Sequence, residues 1–557
     1  MAERSMIYFE RHYTCNRNLE SIYFMYRKGT LNDCKMKKDT SYTIRRARRF
    51  PVILIGEGLL VGIIGGLVVL LYRIALSYAG DWLNQVLAYI KGKPLAILGW
   101  FAVLALFAVI VGRLVKLEPM ISGSGIPQVE GEVTGKLTQN WKRVLPAKFL
   151  GGFLCLLGGL SLGREGPSIQ LGAMAGKGIS QMLDRGRTEE RYLMTCGASA
   201  GLAAAFHAPL AGVIFAVEEI HKGFSVSILI SVMTASVTAD YIASSLIGLE
   251  PVFQFELEHI LPQNYYWLLI VLGAIVGAAG VFYNWAMLKA QDLYKKPKSL
   301  NETGRILIAF MTAGMLGLVM PSVLGSGHNL IEALTDGEMV LEVVIAVFVM
   351  KFLFSAVSFG SGAPGGIFFP LLILGALIGG IFAMAGAEFF GLPEMYINNF
   401  VLLAMAGFFT SIVRAPITGI ILLFEMSGSV SQMLSLSIVS VTAYIVATLL
   451  HSEPIYESLL RRILQKQKKT ETESAVGRQK VLSTYVIMGD SVLEGHCVYE
   501  ITWPDNCLLV ALERNGKEMI PKGKTQLMAG DVLTIMADER DVGYVHDKME
   551  KLCYTFF

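Results

Sequence analysis

The chain has few charged residues for its length: Asp, Glu, Lys and Arg make up 17% of its 557 residues, against about 25% in soluble domains. Hydrophobic residues make up 53%, and the mean hydropathy is +0.53. Soluble domains have too little interior to hide so many apolar side chains, so a series of soluble domains is excluded, as is a disordered chain. The composition predicts an all-α polytopic membrane protein with polar ends.

Cysteine is also sparse, and the motifs of several protein classes are missing. The seven cysteines are scattered and include no CxxC pair, which favours reduced thiols over a disulfide scaffold or a zinc site. No His pair has metal-ligand spacing, so we predict neither a metal nor a cofactor. No GxxxxGK[ST] loop is present, which argues against ATP-driven pumping. No long basic tract is interleaved with aromatic residues, so we expect no nucleic-acid partner.

The apolar runs are often short, and several are broken. From Pro51 to about Leu450 they alternate with short polar breaks, and several fall short of the ~20 residues that a helix needs to cross a bilayer. Gly and Pro interrupt others in mid-run, as in 163–172 and 360–370. Irregular backbone at membrane depth is tolerated only where protein or a water-filled cavity satisfies it. Short and interrupted helices therefore predict a transport pathway.

The apolar part of the sequence is duplicated. GSGIPQVEG from Gly123 recurs as GSGHNLIEA from Gly325, with four identities in nine positions. HAPLAGVIFAVE from His207 recurs as RAPITGIILLFE from Arg414, with five identities in twelve. The offsets of 202 and 207 residues are nearly equal and the order is the same, so the two parts are repeats.

We place the two halves at about residues 50–250 and 264–450. The basic arm 1–49 and the basic stretch 461–469 flank them, and positive charge favours the cytoplasmic side, so both termini are predicted to be cytoplasmic. The joint at 248–263 carries three glutamates and no Lys or Arg, which suggests that it faces outward. The predicted fold is therefore two inverted repeats of short, tilted and broken helices.

The N-terminal arm does not look like a targeting segment. Residues 1–49 contain no short apolar stretch with a cleavage site, so we predict no signal peptide. Whether translation starts at Met1 or at Met36 stays open.

The C-terminal end differs from the membrane part in its composition and residue pattern. A polar linker is predicted at 463–478, and residues 479–557 are predicted to form a small cytosolic α/β domain. Asn515-Gly516 is typical of a hairpin turn. Four β-rich runs and a helix are expected, at 481–487, 491–501, 507–513, 532–536 and 538–552.

The segment Gly123–Pro127, GSGIP, has the features of an anion site. Pro is favoured in the first turn of a helix, so we expect a helix to begin near Pro127. Its first N–H groups lack partners within the helix and carry partial positive charge, and Ser124 adds a hydroxyl donor. The same residues could form only a capped turn, and the motif alone does not decide between the two.

GREGPS from Gly163 places an arginine and a glutamate inside an apolar stretch. A charge at bilayer depth costs at least ~2.5 kcal/mol, so such residues are functional candidates. Glu165 just precedes an expected helix start, where N–H groups would hold its carboxylate in the place that a mobile anion would take. Protonation would remove that attraction. The alternatives are an Arg164–Glu165 ion pair or a simple cap.

Three further patterns are weaker. GGIFFP from Gly365 supplies glycine-freed backbone N–H groups, although such a cluster is more often packing.

Glu218 and Glu219 end the apolar run 208–217, either as a solvated helix end or as a proton acceptor at the inner mouth of a path. GASAG from Gly197 fits the G-x-S-x-G pattern of hydrolases, but its small residues favour helix packing, so we do not predict an enzyme.

Three signature stretches, in this order, resemble the CLC chloride channels and chloride/proton exchangers: GSGIPQVE from Gly123, GREGPSIQLG from Gly163 and GGIFFP from Gly365. The resemblance extends to EPIYESLL from Glu453 and covers about residues 50–462. It implies a homodimer in a lipid membrane, with one pathway per subunit and antiparallel halves.

The same resemblance implies a chloride site. Ser124 and Tyr456 would coordinate the central anion through their hydroxyls, and Ile367 and Phe368 through their backbone N–H groups.

The resemblance also implies two proton-linked residues. Glu165 is similar to the external gating glutamate, which competes with chloride and takes up the proton. Glu219 is similar to the internal proton glutamate, where exchangers commonly keep an acid and channels commonly have an apolar residue. We therefore expect a chloride/proton antiporter. A passive chloride channel of the same fold is the alternative, and a regulatory sensor whose core conducts little is a third hypothesis.

The segment from Gly495, GHCVYEITWPDNC and onward, resembles the C-terminal subdomain of potassium-transport regulators, TrkA-C or RCK-C. This implies a regulatory domain at 479–557. It would either bind a small ligand, such as a cyclic dinucleotide, or serve as a ligand-free dimerisation module. Its presence suggests a prokaryotic inner membrane.

Overall fold

The computed structural model describes most of the chain. The described residues are 40–223, 225–248, 253, 261–297, 300–337, 339–428, 430–471, 480–514, 517–538 and 541–554. The packing discussed below concerns residues from Leu54 onward, which form one unit. Parts of the sequence-based predictions lie outside the described residues: most of the 1–49 arm, most of the acidic 248–263 joint, the end of the 463–478 linker and the Asn515-Gly516 turn.

The described membrane part is built of α-helices, because its sequence is apolar and its turns coincide with the Gly and Pro breaks. In chain order the helices of the first half are α1 (Thr40–Ile90), α2 (Pro94–Leu117), α3 (Ile126–Val133), α4 (Trp141–Leu157), α5 (Glu165–Met182), α6 (Arg187–Phe206), α7 (Pro209–Phe215) and α8 (Val226–Ile247). A π-helix (Ala216–His221) continues α7.

The second half repeats this order and adds one helix. Its helices are α9 (Tyr266–Lys295), α10 (Glu302–Val319), α11 (His328–Thr335), α12 (Leu341–Gly360), α13 (Phe368–Phe390), α14 (Ile397–Val413), α15 (Pro416–Ser427), α16 (Met433–Leu449) and α17 (Ile455–Glu471).

The chain is a multi-pass membrane protein. Eight described helical segments are long and apolar enough to cross a bilayer. Others are too short: α3 and α11 have eight residues each, which at 1.5 Å per residue span about 12 Å of a ~30 Å hydrocarbon core. The prediction of short and interrupted helices is therefore confirmed.

A pair of glycines shows that the repeats are inverted. The Gly163 N–H donates to the Gly366 carbonyl at 2.7 Å, and the Gly366 N–H donates to the Gly163 carbonyl at 2.8 Å, in an antiparallel bridge. The two residues are 203 positions apart, so they are equivalent in the repeat. Equivalent residues that exchange identical hydrogen bonds in antiparallel orientation lie on a local two-fold axis, which makes the halves antiparallel as predicted.

Two predicted boundaries differ from the helices observed. α1 begins at Thr40, so the end of the segment predicted as the 1–49 arm is helical. α17 runs on to Glu471, so residues 463–471 of the predicted linker are also helical. Polarity suggested a linker there, but Gln and Lys are good helix formers and the helix continues through them.

The C-terminal domain contains a four-stranded antiparallel sheet in the order β1-β4-β2-β3. Its elements are β1 (Lys480–Val486), β2 (Cys507–Arg514), β3 (Lys517–Met519), β4 (Val532–Asp538) and α18 (Val542–Cys553). One face of the sheet packs on α18 around a core that includes Tyr485, Leu512, Leu533, Ile535 and Met549. The small α/β domain is confirmed.

The strand predicted at 491–501 is wrong. Apart from an isolated bridge at Cys497, this segment forms turns and a short 3₁₀-helix, Val498–Glu500. Its backbone pairs instead with the loop at 523–527, as in the bond from the Val498 N–H to the Thr525 carbonyl.

Close packing of α5 on α6 gives a first testable prediction. A Cβ on Gly172 would collide with the Gly197 carbonyl, whereas a Cβ on Gly80 would meet nothing within 4 Å. Gly172→Ala is therefore expected to lower the free energy of unfolding by about 1–3 kcal/mol through overpacking. Gly80→Ala, the matched helical control, is expected to leave it unchanged or raise it. Thermal unfolding of the purified protein measures both, and equal effects of the two variants would contradict this packing.

Candidate functional site

Three broken segments meet where the two halves join. The Gly365 N–H donates to the Gly123 carbonyl at 3.0 Å, which ties the start of α13 to the start of α3. A Cβ on Gly166 would collide with Ser124, so α5 begins against the same loop. The Gly163–Gly366 bridge completes the junction. The N-termini of α3, α5 and α13 therefore converge, and their unpaired N–H groups favour negative charge there.

The start of α3 agrees with the sequence-based expectation. The helix begins at Ile126, next to Pro127, and its cap residue Gly125 has a left-handed backbone with φ 98°. Glycine adopts this conformation without a steric penalty. Gln170 packs directly against that glycine, so no side chain fits there.

Two hydroxyls at this junction are buried and unpartnered among the described residues. Ser124 is 2% exposed and Tyr456 is fully buried, and neither hydroxyl makes a hydrogen bond there. Ile367 and Phe368, at the start of α13, are also buried. Buried polar groups are normally hydrogen-bonded. The donor set of hydroxyls and helix N-terminal N–H groups is chemically suited to an anion.

Glu165 opens α5 and is completely buried. Its Oε1 lies 3.8 Å from Nε of Arg164, and backbone N–H groups of Glu165 itself and of Phe369 face the carboxylate. Neither carboxylate oxygen completes a hydrogen bond with the described residues. The contact with Arg164 is thus a long ion pair, and the carboxylate lies where the helix N-termini would hold an anion.

Tyr456, the second residue of α17, lies near this carboxylate and near a second one. Its side chain is close enough to both Glu165 and Glu219 for electrostatic interaction. The three residues come from three separate helical segments, so only the tertiary structure brings them together.

The neighbours Glu218 and Glu219 differ in their contacts. Oε2 of Glu218 accepts hydrogen bonds from the backbone N–H (3.0 Å) and Oγ1 (2.7 Å) of Thr418, near the start of α15. Its counterpart in the second half, Glu425, accepts from two backbone N–H groups at the start of α7, at 2.9 and 2.7 Å. Each half therefore caps a helix of the other. Glu218 therefore has a capping contact, and Glu219 is the acid to which the family resemblance assigns proton transfer.

Glu219 lies in a cluster of charges that the sequence analysis missed. It is 6% exposed, and its Oε1 makes no hydrogen bond with described residues. Nearby, Lys222 pairs with Glu130 on α3 at 2.9 Å and with Glu457 on α17 at 2.5 Å. These acids come from helices distant in sequence. The sequence did contain a signal for this cluster, namely Glu130 within the GSGIPQVE motif, but that residue was not singled out.

Two buried lysines were also missed. The Lys148 ammonium donates to the carbonyl oxygens of Ile121 (2.9 Å) and Gly123 (2.6 Å). Lys351, at the equivalent place in the second half, makes the matching contacts at 2.8 and 2.9 Å. Both lysines are fully buried. Lys148 thereby fixes the loop that presents Ser124.

A cavity of about 500 Å³ leads to Ser124 from one side of the protein. Cations from α9, α10 and α17 line it, namely Lys295, Arg305, Arg462 and Lys466. No group of three His, Cys, Asp or Glu side chains that could hold a metal ion occurs in the described part of the chain.

Inverted repeats of short, broken helices whose starts meet at one buried junction define this protein as a polytopic membrane protein with the architecture of a transporter. The family profile described as Voltage gated chloride channel matches residues 105–448, and that described as TrkA-C domain matches residues 482–549. The chain belongs to the voltage-gated chloride channel, or CLC, family and carries a TrkA-C domain.

Individual relatives support this assignment. The chain is 36% identical over 455 residues to the H(+)/Cl(-) exchange transporter ClcA of Vibrio cholerae, covering 78% of this chain and 94% of that protein. It is 32% identical over 447 residues to ClcA of Salmonella typhimurium, with the same coverage. The crystal structure of a slow cyanobacterial Cl-/H+ antiporter matches with a TM-score of 0.71 and 31% identity, over 74% of this chain and 99% of that one. A eukaryotic CLC transporter shares the fold, with a TM-score of 0.62 and 19% identity over 75% of both chains.

The reciprocal capping gives the second prediction. Glu218→Gln is expected to lower the free energy of unfolding by about 1 kcal/mol, because the cap of α15 is weakened. Glu425→Gln should do the same, and Glu219→Gln should leave stability nearly unchanged. Thermal unfolding of the three purified variants measures this. A larger loss of stability in Glu219→Gln than in Glu218→Gln would contradict the capping role of Glu218.

Proposed function

We propose that this protein exchanges chloride for protons across the membrane. The observation that carries the proposal is the buried Glu165 carboxylate at the convergent helix N-termini, together with the hydroxyls of Ser124 and Tyr456, which have no hydrogen-bond partner among the described residues. The names of the bacterial relatives, H(+)/Cl(-) exchange transporter, support it.

Chloride is held by the hydroxyls of Ser124 and Tyr456 and by the backbone N–H groups of Ile367 and Phe368. These donors are dipoles rather than full positive charges. They bind an anion firmly enough to select it and weakly enough to release it, as conduction requires. Lys148 supports the site from behind by holding the Gly123 carbonyl.

Glu165 is the external gate. Ionised, its carboxylate occupies the place at the helix N-termini that chloride would take. Protonated, it loses its attraction to those N–H groups and swings away, so chloride enters as the proton is carried. The same dipoles thus serve two competing anions, and this competition couples the two fluxes.

Glu219 is the internal proton acceptor, with Tyr456 between it and Glu165. The internal repeat supports both assignments. The equivalent of Glu219 in the second half is Met426, and the equivalent of Glu165 is Phe368. The capping pair Glu218 and Glu425, in contrast, is preserved. In this proposal, Glu165 and Glu219 differ from their repeat equivalents because transport requires an acid at these two positions, whereas folding does not.

The remaining expectations complete the proposal. The protein is a homodimer in a prokaryotic inner membrane, with both termini cytoplasmic. Residues 50–462 form the transport domain, and residues 479–557 form a regulatory domain that binds a small molecule such as a cyclic dinucleotide or dimerises without a ligand. Contact of that domain with the transport core, through the Lys136–Asp547 ion pair at 2.7 Å, supports a regulatory role.

Proton coupling is the central prediction. In proteoliposomes, an imposed chloride gradient should drive protons uphill in the opposite direction. Glu219→Gln is expected to reduce proton movement about a hundredfold, because a positioned proton-transfer group is lost, while chloride still flows. Fluxes are measured with a chloride electrode and a pH electrode. Chloride flow without proton movement in the native protein would replace the antiporter with a passive channel.

A gate variant tests the competition directly. Glu165→Gln mimics the protonated gate and cannot carry a proton. We expect proton movement to be lost and chloride flow to become independent of pH. Glu218→Gln, which alters the capping acid next to Glu219, is the control and should remain coupled. Unchanged fluxes of both ions in Glu165→Gln would contradict the gating role.

Removal of residues 479–557 separates a transporter from a sensor. A transport core should still move chloride without the C-terminal domain, whereas a sensor whose core conducts little should not. Chloride release from proteoliposomes measures this, with the full chain as the control.

A further inference from the structure

A second cavity of about 1430 Å³ lies next to the one that reaches Ser124. We call it the basic cavity. Six cations from α2, α9, α10 and α17 line it: Arg113, Lys116, Lys295, Arg305, Arg462 and Lys466. Its two acidic lining residues are Asp292 and Glu302. Six cations against two carboxylates leave a net charge of +4.

Only part of this positive charge is neutralised. Arg462 makes a bidentate pair with Asp292 at 2.7 and 2.9 Å, and Lys466 lies 3.5 Å from Glu302. Within the described part of the chain, no carboxylate lies within ion-pair distance of the other four cations, which are Arg113, Lys116, Lys295 and Arg305.

The cations are also close enough to repel one another. Lys295 lies near Arg305, Arg462 and Lys466, which repel it, and near the carboxylate of Asp292, which attracts it. Part of Arg305 is buried, and its Nε makes no hydrogen bond with the described residues. Like charges held together in this way are relieved by an anion with several negative oxygens, which can accept from more than one cation at once.

Size argues for an occupant larger than chloride. Pockets for small molecules are typically about 300–1,000 Å³, so the basic cavity, an open cleft of about 1430 Å³, has room for a molecule much larger than chloride. Guanidinium groups match the geometry of phosphate oxygens in bidentate contacts, and lysines add point charges. The chemical class that fits best is a phosphate-bearing anion, either free in solution or part of a lipid headgroup.

The basic cavity adjoins the approach to the chloride site. It shares Lys295, Arg305 and Arg462 with the cavity of about 500 Å³ that reaches Ser124. Arg113 and Lys116, at the end of α2, line only the basic cavity. An occupant would therefore lie across one route to Ser124.

We propose that the basic cavity binds a phosphate-bearing anion through Arg113, Lys116 and Arg305, and that the bound anion restricts access of chloride to Ser124. The second part rests on the proposed transport function. The first part does not, and binding can be measured without transport.

The binding test uses pyrophosphate as the probe. Isothermal titration of the purified full-length protein, at constant ionic strength, is expected to show saturable binding. The double variant Arg113→Gln with Lys116→Gln should bind at least about tenfold more weakly. The matched control is Lys91→Gln with Lys93→Gln, which removes two exposed lysines at the opposite end of α2 and should bind as the native protein does. If the double variant is poorly folded, Lys116→Gln alone should still weaken binding.

Equal affinity of the native protein and both double variants would overturn the proposal, as would the absence of saturable binding in membranes and in solution.

Transport then tests the second part. In phosphatidylcholine proteoliposomes, pyrophosphate should slow chloride release in the native protein and the control, and much less in the Arg113/Lys116 variant. Slowing by phosphatidic acid in the membrane, with the same dependence on these residues, identifies a lipid headgroup as the source. If no chloride moves at all, the transport function fails while the titration still decides on the site.

Discussion

The whole site depends on one electrostatic arrangement: helix N-termini that converge inside a membrane protein. The starts of α3, α5 and α13 are held together by the Gly163–Gly366 bridge and by the bond from Gly365 to Gly123. Each helix start offers N–H groups without intrahelical partners. Their combined field favours negative charge without introducing a fixed cation. In the proposed mechanism, chloride and the Glu165 carboxylate compete for that one place, and their competition links chloride movement to proton movement.

The two-fold relation of the halves explains how such a site stays rigid. Lys148 and Lys351 hold equivalent loops, and Glu218 and Glu425 cap each other's helices. These paired contacts join the halves where their helices are short and broken. They also help to distinguish structural from functional residues. Of the adjacent acids Glu218 and Glu219, only Glu218 has an acidic counterpart in the other half, namely Glu425.

The described residues form two charge clusters of opposite character. The carboxylates of Glu130, Glu219 and Glu457 gather around Lys222. The cations that line the cavity reaching Ser124 and the basic cavity form the second cluster, around Lys295 and Arg305. A proton path benefits from acids, and an anion path benefits from cations. Separation of the two kinds of charge is consistent with separate inner routes for the two ions in the proposed mechanism.

The sequence by itself determined the class of the fold, the duplication and the family. Apolar content, Gly and Pro breaks and repeated motifs are local properties, so they are visible without a structure. The start of α3 and the position of Glu165 at a helix start followed in the same way. Sequence patterns failed where polarity and helix propensity disagree, as in 463–471, and where backbone pairs with a distant loop, as in 491–501. Only the tertiary structure showed the capping contact of Glu218 and the contacts of Lys148 and Lys222, because these depend on partners far away in the chain. The packing of the helices decides which side chains lie close enough to interact electrostatically. No single segment of the sequence determines that packing.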